Sequence, residues 1–437
     1  MWLLPLFSPL ARFALRLFYR LTLAGEPVPR TGPVLLVANH PNSLLDPAAV
    51  VAVARRPVRF LAKAPLFKQP GIGVLVKAAG AIPVYRKQDD PGAMGQNEDT
   101  FRAVWAALAE GAAVGIFPEG MSHNEPALVP LKTGAARIAL GAARLTGGAF
   151  PLVPVGLSFR DKEHFRSEAM AVVGDPVEWG DLAAAVPENW EAVRELTRRI
   201  DQGLREVTLN LERWEDAPLV ETAEAVYAAE RPVSRDPADR VERLGEAAEG
   251  LARLRAENRA EWNRVAREVA AHARVLRVLG LRPDELKAAP RTPGAVVWTL
   301  RELVFFLLEA PVAALGILVY FLPYRLTGMA EARARPSRDV RGTFKLLVGA
   351  LVHVLWTVAV VVLVGRRFGV LPALAALVAL PLVGLVTVHV LEGWARAVAE
   401  ARRFLLRTRR RDTLAELRQR QRSLAERLHA LWEEVRV

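Results

Sequence analysis

The chain has 437 residues, 52% of them hydrophobic and 24% charged, with a formal net charge of +12. That length exceeds one ordinary core, so two or three structural units are expected, and the lack of cysteine excludes disulfides, thiolate catalysis and Cys-ligated metal sites. The basic balance favours a polyanionic partner; with no basic and aromatic nucleic-acid signature, an anionic phospholipid membrane is expected and nucleic acid is not.

Residues 1–24 carry Arg12, Arg16 and Arg20 four apart, with Phe13, Leu15, Leu17 and Phe18 around the rest of the turn. This predicts an interfacial amphipathic helix whose cations meet lipid phosphates. A signal peptide is not expected, because the arginines follow the apolar run.

From residue 25 to about 215 short apolar runs alternate with helical patterns. The runs cover 34–38, 59–62, 79–85, 112–117 and 151–158, and amphipathic, Ala-rich stretches at 99–110 and 134–144 lie between them. This predicts an α/β domain with a mostly parallel sheet flanked by helices, whose functional residues gather where the strands end. The first strand delivers Asn39-His40, and a turn through Pro41-Asn42-Ser43 can return Asp46 to the imidazole, holding a general base in one tautomer. The third run ends on Arg86, whose planar fork suits a phosphate. The fourth gives F-P-E-G-M-S-H, with Glu119, an approachable backbone at Gly120 and the Ser122 hydroxyl. Glu119 should repel a phosphate, so it accepts from a substrate hydroxyl or positions its loop. The fifth gives V-P-V around Pro154. Taken singly, each has an ordinary reading as a turn, a strand exit or a solvated loop, and Lys63 and Lys132 read as surface residues unless the sheet turns them inward.

Together, N-H-P-N-S-L-L-D, G-A-I-P-V-Y-R, F-P-E-G-M-S-H and V-P-V, in this order, resemble the four motif blocks of the glycerophospholipid acyltransferase superfamily. His40 and Asp46 are separated by one residue more than in the commonest bacterial pattern, and M-S-H replaces T-R-S. Both departures resemble the fungal-type glycerol-3-phosphate and dihydroxyacetone-phosphate acyltransferases. The resemblance implies that His40, oriented by Asp46, takes a proton from a glycerol hydroxyl as it attacks an acyl thioester, without an acyl-enzyme. It implies an acceptor site drawn from Asn42, Lys63, Arg86, Glu119, Gly120, Ser122, Lys132 and Pro154. No metal and no cofactor are expected, the acyl-CoA or acyl-carrier-protein thioester being a co-substrate.

Residues 216–295 are rich in Glu, Arg and Ala and predict charged helices with a solvated face. In 296–392, the stretches 346–364 and 368–390 approach the ~20 apolar residues needed to span a bilayer, with Gly365-Arg366-Arg367 between them. Residues 303–322 are also apolar but hold Glu309 near Pro311, an ionisable group that is costly at bilayer depth. The basic stretch 325–345 and the basic tail from Arg396 prefer the same face, which favours two spans with 303–322 interfacial or re-entrant. Residues 393–437 predict a basic amphipathic helix with Leu414, Leu417, Leu424, Leu428 and Leu431 on one side, lying on anionic lipid or paired with another helix.

The expected protein is therefore an integral membrane O-acyltransferase with its catalytic domain on the cytoplasmic face. Its expected partners are an acyl thioester donor and a phosphorylated glycerol acceptor. Glycerol 3-phosphate is the preferred acceptor and lysophosphatidate the alternative. Two rivals are a metal-dependent hydrolase built on His40, Asp46, Glu119 and His123, and a non-catalytic lipid-binding tether.

Overall fold

The computed structural model describes residues 4–69, 72–86, 91–286, 295–409 and 411–436. It separates into two compact units. The first comprises Met1–Asp216, Ser234–Glu249 and Ser337–Thr343; the second comprises Ala217–Val233, Gly250–Pro336 and Phe344–Val437.

The first unit is built on a seven-stranded sheet. Its strands are β1 (Tyr19–Gly25), β2 (Val34–Ala38), β3 (Val58–Lys63), β4 (Ile82–Val84), β5 (Ala113–Ile116), β6 (Leu152–Phe159) and β7 (Ser167–Val173). They lie in the order β1-β7-β6-β2-β5-β3-β4. Only β6 and β7 pair antiparallel, so β7 and β1 run against the other five. The sheet is thus mostly parallel, and helices flank it: α1 (Leu4–Phe18), α2 (Leu45–Ala54), α3 (Ile72–Ala78), α4 (Asn97–Ala109), α5 (Gly134–Thr146) and α6 (Trp190–Glu206). All five residues of β2 are buried, as an unbroken Val/Leu run requires when strands lie on both sides of it. Trp179, Leu108, Leu140, Leu152 and Leu196 fill the core beside it.

The five expected strands are present, with ends shifted by up to three residues. The N-terminal segment differs from the helix expected over 1–24. It leaves the helix after Phe18, and residues 19–25 form an edge strand paired with β7, placing Arg20 on a strand. Leu15, Phe18 and Tyr19 are buried, while Leu10 and Phe13 stay exposed.

The charged region 216–295 is also divided between the units. It holds α7 (Ala217–Glu230), α8 (Pro237–Glu257) and α9 (Arg259–Leu279), and Val241 of α8 packs with Val172 and Val207 of the first unit. In the second unit, α7 and α9 share a core with α13 (Arg411–Arg436), formed by Ala223, Val226, Val265, Val269, Leu424 and Leu428. Of the two settings expected for the C-terminal leucines, the structure has the helix pairing. A buried polar link runs through that core: His272 Nε2 lies 3.1 Å from Gln421 Oε1, and Gln421 donates to Glu230 at 2.7 Å.

Between them stand α10 (Ala295–Ala334), α11 (Arg338–Phe368) and α12 (Val370–Arg409). Among the described residues, Val304–Ala334, Arg338–Phe368 and Val370–Leu406 are three helices long and apolar enough to cross a membrane, by length and composition. Their large side chains, such as Leu318, Leu363 and Leu371, are exposed in rows that water would not tolerate, which marks a membrane-associated protein. The break between the last two falls at Gly369, with φ of +95°, rather than at Gly365-Arg366-Arg367, which continue α11. Residues 393–409 extend α12 instead of opening a separate helix.

At the end of the sheet opposite the strand ends that carry the motifs, Arg56 ties two neighbouring loops to its own. It donates to the carbonyls of Pro29 at 2.9 Å, Gly32 at 3.0 Å and Gly111 at 2.7 Å. Charged donors make the stronger hydrogen bonds. Arg56→Ala is expected to destabilise the protein by about 2 kcal/mol, read as a lower denaturation midpoint with unchanged residual activity in the folded fraction.

Candidate functional site

β2 ends at Ala38, and Asn39 then locks onto β6 by donating to Leu157 O at 3.0 Å and accepting from Leu157 N at 2.7 Å. His40 follows, facing the turn that starts α2. Its Nδ1 lies 2.8 Å from Asp46 Oδ2, and the same oxygen accepts from the backbone N–H of Asn42 at 2.6 Å. A carboxylate can only accept, so Nδ1 carries the proton and Nε2 keeps its lone pair. Asp46 is fully buried, whereas the imidazole is 19% exposed. Burial pushes the Asp46 carboxyl above the usual range, with the His40 hydrogen bond and charge, the Asn42 N–H and the Lys162 charge acting the other way.

The residue that lengthens the spacing between His40 and Asp46 is accommodated in the backbone. Ser43 takes φ of +51°, and the N–H groups of Leu45 and Asp46 return to Asn42 O and Ser43 O. This left-handed residue brings Asp46 round to the imidazole in the first turn of α2.

The loop after β5 holds His40 from the other side. Phe117 stacks on the imidazole with ring centroids 4.1 Å apart, and Phe60 stacks on Phe117 at 5.8 Å. Glu119 is buried; its Oε2 accepts from His40 N at 2.6 Å, and its Oε1 lies 2.7 Å from His123 Nε2. His123 N in turn donates to His40 O at 3.2 Å. Both oxygens of Glu119 are therefore engaged in fixing the loop. Gly120 has φ of +77°, a conformation favouring glycine, and its carbonyl accepts from Arg86 at 3.0 Å. Arg86 and the F-P-E-G loop thus meet at the strand ends.

The remaining expected residues are spread more widely. Lys132 is exposed, with its stem over Gly120. Lys63 is exposed at the end of β3. Pro154 is buried within β6 with its ring against Gly174 and Gly203, in the core rather than at the strand ends. Asn42 is fully buried, donating to the Tyr19 hydroxyl at 3.0 Å, and Tyr19 donates to Lys162 O at 2.6 Å. Burial raises the Tyr19 phenol, which stays a neutral donor. Ser122 Oγ donates to Asp339 Oδ2 at 2.6 Å, a partner from the third segment of the same unit.

Sequence reasoning passed over Tyr19, Lys162 and Asp339, and used His123 only in a rival reading. His123 stands four residues from Glu119, a signal that could have paired them; the other three have no local signal. Lys162 donates to Asn124 Oδ1 at 2.8 Å. Burial lowers its pKa, Asp46 and Asp339 oppose that shift, and Arg338 adds to it. Among the described residues no group of three or more His, Asp or Glu side chains converges as metal ligands would.

These features define an α/β protein with a carboxylate-oriented histidine at the ends of parallel strands. The family profile described as Acyltransferase matches residues 20–158, which hold His40, Asp46, Arg86, Glu119 and Pro154. A 1-acyl-sn-glycerol-3-phosphate acyltransferase of Bacillus subtilis is 31% identical over 158 residues, covering 36% of this chain and 71% of that protein. Glycerol-3-phosphate O-acyltransferase 1 of Saccharomyces cerevisiae is 26% identical over 439 aligned positions, covering 76% of this chain and 57% of that protein. Glycerol-3-phosphate O-acyltransferase 2 of the same yeast is 34% identical over 136 residues, which are 30% of this chain and 18% of that protein. The chain belongs to the acyltransferase family. It spans little more than half of the one yeast relative and under a fifth of the other.

Left-handed geometry costs a side chain roughly 1–2 kcal/mol, and most for a β-branched residue. Ser43→Gly is therefore expected to leave stability within about 1 kcal/mol of the parent. Ser43→Val should lower it by more than about 1 kcal/mol and reduce activity, as thermal melts and initial rates on the two variants would read.

Proposed function

We propose that the chain transfers a fatty acyl group from an acyl thioester to a hydroxyl of glycerol 3-phosphate at a membrane, as a step of phospholipid synthesis. The observation that carries this reading is the His40–Asp46 pair, with Nδ1 committed to the carboxylate and Nε2 left as the base. Nε2 takes the proton of the acceptor hydroxyl as its oxygen attacks the thioester carbonyl. The carbon–sulfur bond breaks, an ester forms, and the proton returns to the departing thiolate. Asp46 stabilises the imidazolium between those steps, and Phe117 keeps the ring plane fixed. Arg86 serves as the cation for the acceptor phosphate, with Lys132 beside it over Gly120. The reading needs no metal.

Glycerol 3-phosphate is preferred because the likeness to the yeast enzyme of that name runs over 76% of this chain, well beyond the catalytic residues. Lysophosphatidate is the second reading, favoured by the Bacillus relative. A panel of both acceptors with acyl-CoA and acyl-carrier-protein donors decides; greater turnover of lysophosphatidate reverses the preference. His40→Ala and Asp46→Asn are each expected to lower kcat by about 10²-fold or more. Retention of most activity by His40→Ala would sink the mechanism.

The second unit supports a two-span arrangement. Helices before the apolar region (α7, α9) and after it (α13) share one core, so the chain between them crosses an even number of times. Phe306 of α10 packs on Trp394 with tilted rings whose centroids are 4.5 Å apart, and Glu331 near the other end of α10 pairs with Lys345 at 3.3 Å. Trp394 and Lys345 are 25 and 24 residues from Gly369. At 1.5 Å per residue that is about 36 Å, more than the thickness of a bilayer core. Both ends of α10 then lie level with one face. In this reading α11 and α12 cross as a hairpin, and α10, with Glu309, Pro311 and Pro323, dips and returns. The basic stretches 325–345 and beyond Arg396 share that face, which makes it and the catalytic residues cytoplasmic. The natural lack of cysteine permits a direct measurement. Single cysteines at Glu188, Arg335 and Gly369, probed with an impermeant maleimide in sealed oriented vesicles, should label Glu188 and Arg335 from one side and Gly369 from the other. Gly369 labelling together with Glu188 would require three spans.

A further inference from the structure

Seven residues from far outside the family-matched region, Ser337–Thr343, belong to the catalytic unit. They open α11, and they touch each loop that leaves the central strands. Asp339 accepts from Ser122 in the loop after β5 at 2.6 Å, and Arg341 pairs with Glu163 in the loop after β6. Thr343, itself buried, donates to Asn42 O at 3.3 Å in the turn after β2.

The tightest approach is at Gly342, which is buried in the helix. A Cβ there would stand 2.6 Å from Lys162 O, 2.8 Å from Asn42 Oδ1 and 2.9 Å from the Tyr19 hydroxyl. One of these atoms is backbone and the other two belong to fully buried side chains, so none can simply swing aside. All three belong to one hydrogen-bonded set: Asn42 donates to Tyr19, and Tyr19 donates to Lys162 O. Asn42 is also the residue whose N–H fixes the oxygen of Asp46 that holds His40. Displacing Asn42 therefore moves Asp46 and releases the imidazole.

We propose that Gly342 is a positioning residue for catalysis: by admitting the Ser337–Thr343 strap against Asn42, it sets the Asp46 carboxylate and through it the orientation and basicity of His40. This rests on the reading of His40 as the general base. The strap does for the back of the site what the Glu119 loop does for the front. The site is thus completed by residues some 300 positions downstream of the histidine it serves.

The test uses the full chain in detergent or vesicles, with glycerol 3-phosphate and a palmitoyl thioester of whichever carrier supports turnover. Gly342→Val is expected to lower kcat at least tenfold, with KM for both substrates within about threefold of the parent. An imidazole that loses its carboxylate partner is less basic. The acid limb of the kcat profile should therefore move to lower pH, a shift that a general loss of structure would not give. If Gly342→Val fails to fold, the double variant Asp339→Asn with Thr343→Val, which adds no volume, decides; it should move kcat and the acid limb in the same directions. A folded variant with parental kcat and an unmoved limb, or a loss confined to KM, overturns the proposal. His40→Ala separates the two levels. Activity without His40 removes the base itself, whereas an inactive His40→Ala beside a fully active Gly342→Val removes only the positioning.

Discussion

A buried carboxylate is the constraint on which the α/β unit depends. Asp46 has no exposure to water, and a charge so placed is tolerable only if it is met by donors and opposite charge. One oxygen takes both the His40 imidazole and the Asn42 backbone N–H. Satisfying that single atom fixes the path of five consecutive residues. Pro41 turns the chain, Asn42 points its N–H inward, Ser43 accepts a left-handed backbone, and α2 starts where Asp46 can face back. The Asn42 side chain, buried by this path, needs its own partner and finds it in Tyr19. Lys162 supplies the nearby positive charge.

In the opposite wall an acidic residue is committed to the protein itself. Glu119 would repel a phosphate if it faced it. Its two oxygens are turned instead to His40 N and His123, and it is buried behind Gly120. The carboxylate thereby serves the protein's own backbone, while Lys132 of the same loop lies over Gly120 and Arg86, from the segment after β4, donates to the Gly120 carbonyl. Charge is sorted by depth: Asp46 and Glu119 are buried against His40, whereas Arg86 is half-buried and Lys132 exposed. Phe117 and Phe60 extend the stack that begins on the His40 imidazole.

This sorting was only partly legible in the sequence. The parallel strands were readable because buried strands are continuous Val, Ile and Leu runs, and functional residues follow such runs at their carboxyl ends. His40, Asp46, Arg86 and Glu119 could be placed for that reason. β1 was hidden because Arg20 continues a helical spacing begun at Arg12, although Y-R-L-T-L-A-G alternates as an edge strand does. β7, S-E-A-M-A-V-V, is poor in strand-forming residues and is held by its neighbours on both sides. Asn42 reads as a ligand when only its distance from His40 is known; burial, which the sequence does not carry, gives it to Tyr19. No local pattern links Ser122 to Asp339 or Asn42 to Thr343.

Those last pairs bear on how the family fold is used here. The residues matched by the family profile form all the strands but β7 and carry the histidine, but they leave the turn after β2 without its backing, because that backing enters as the first residues of an apolar helix. Arg341, Gly342 and Thr343 lie in the first turns of α11. A glycine at the point of closest approach lets the helix backbone itself, rather than a mobile side chain, rest against the turn after β2.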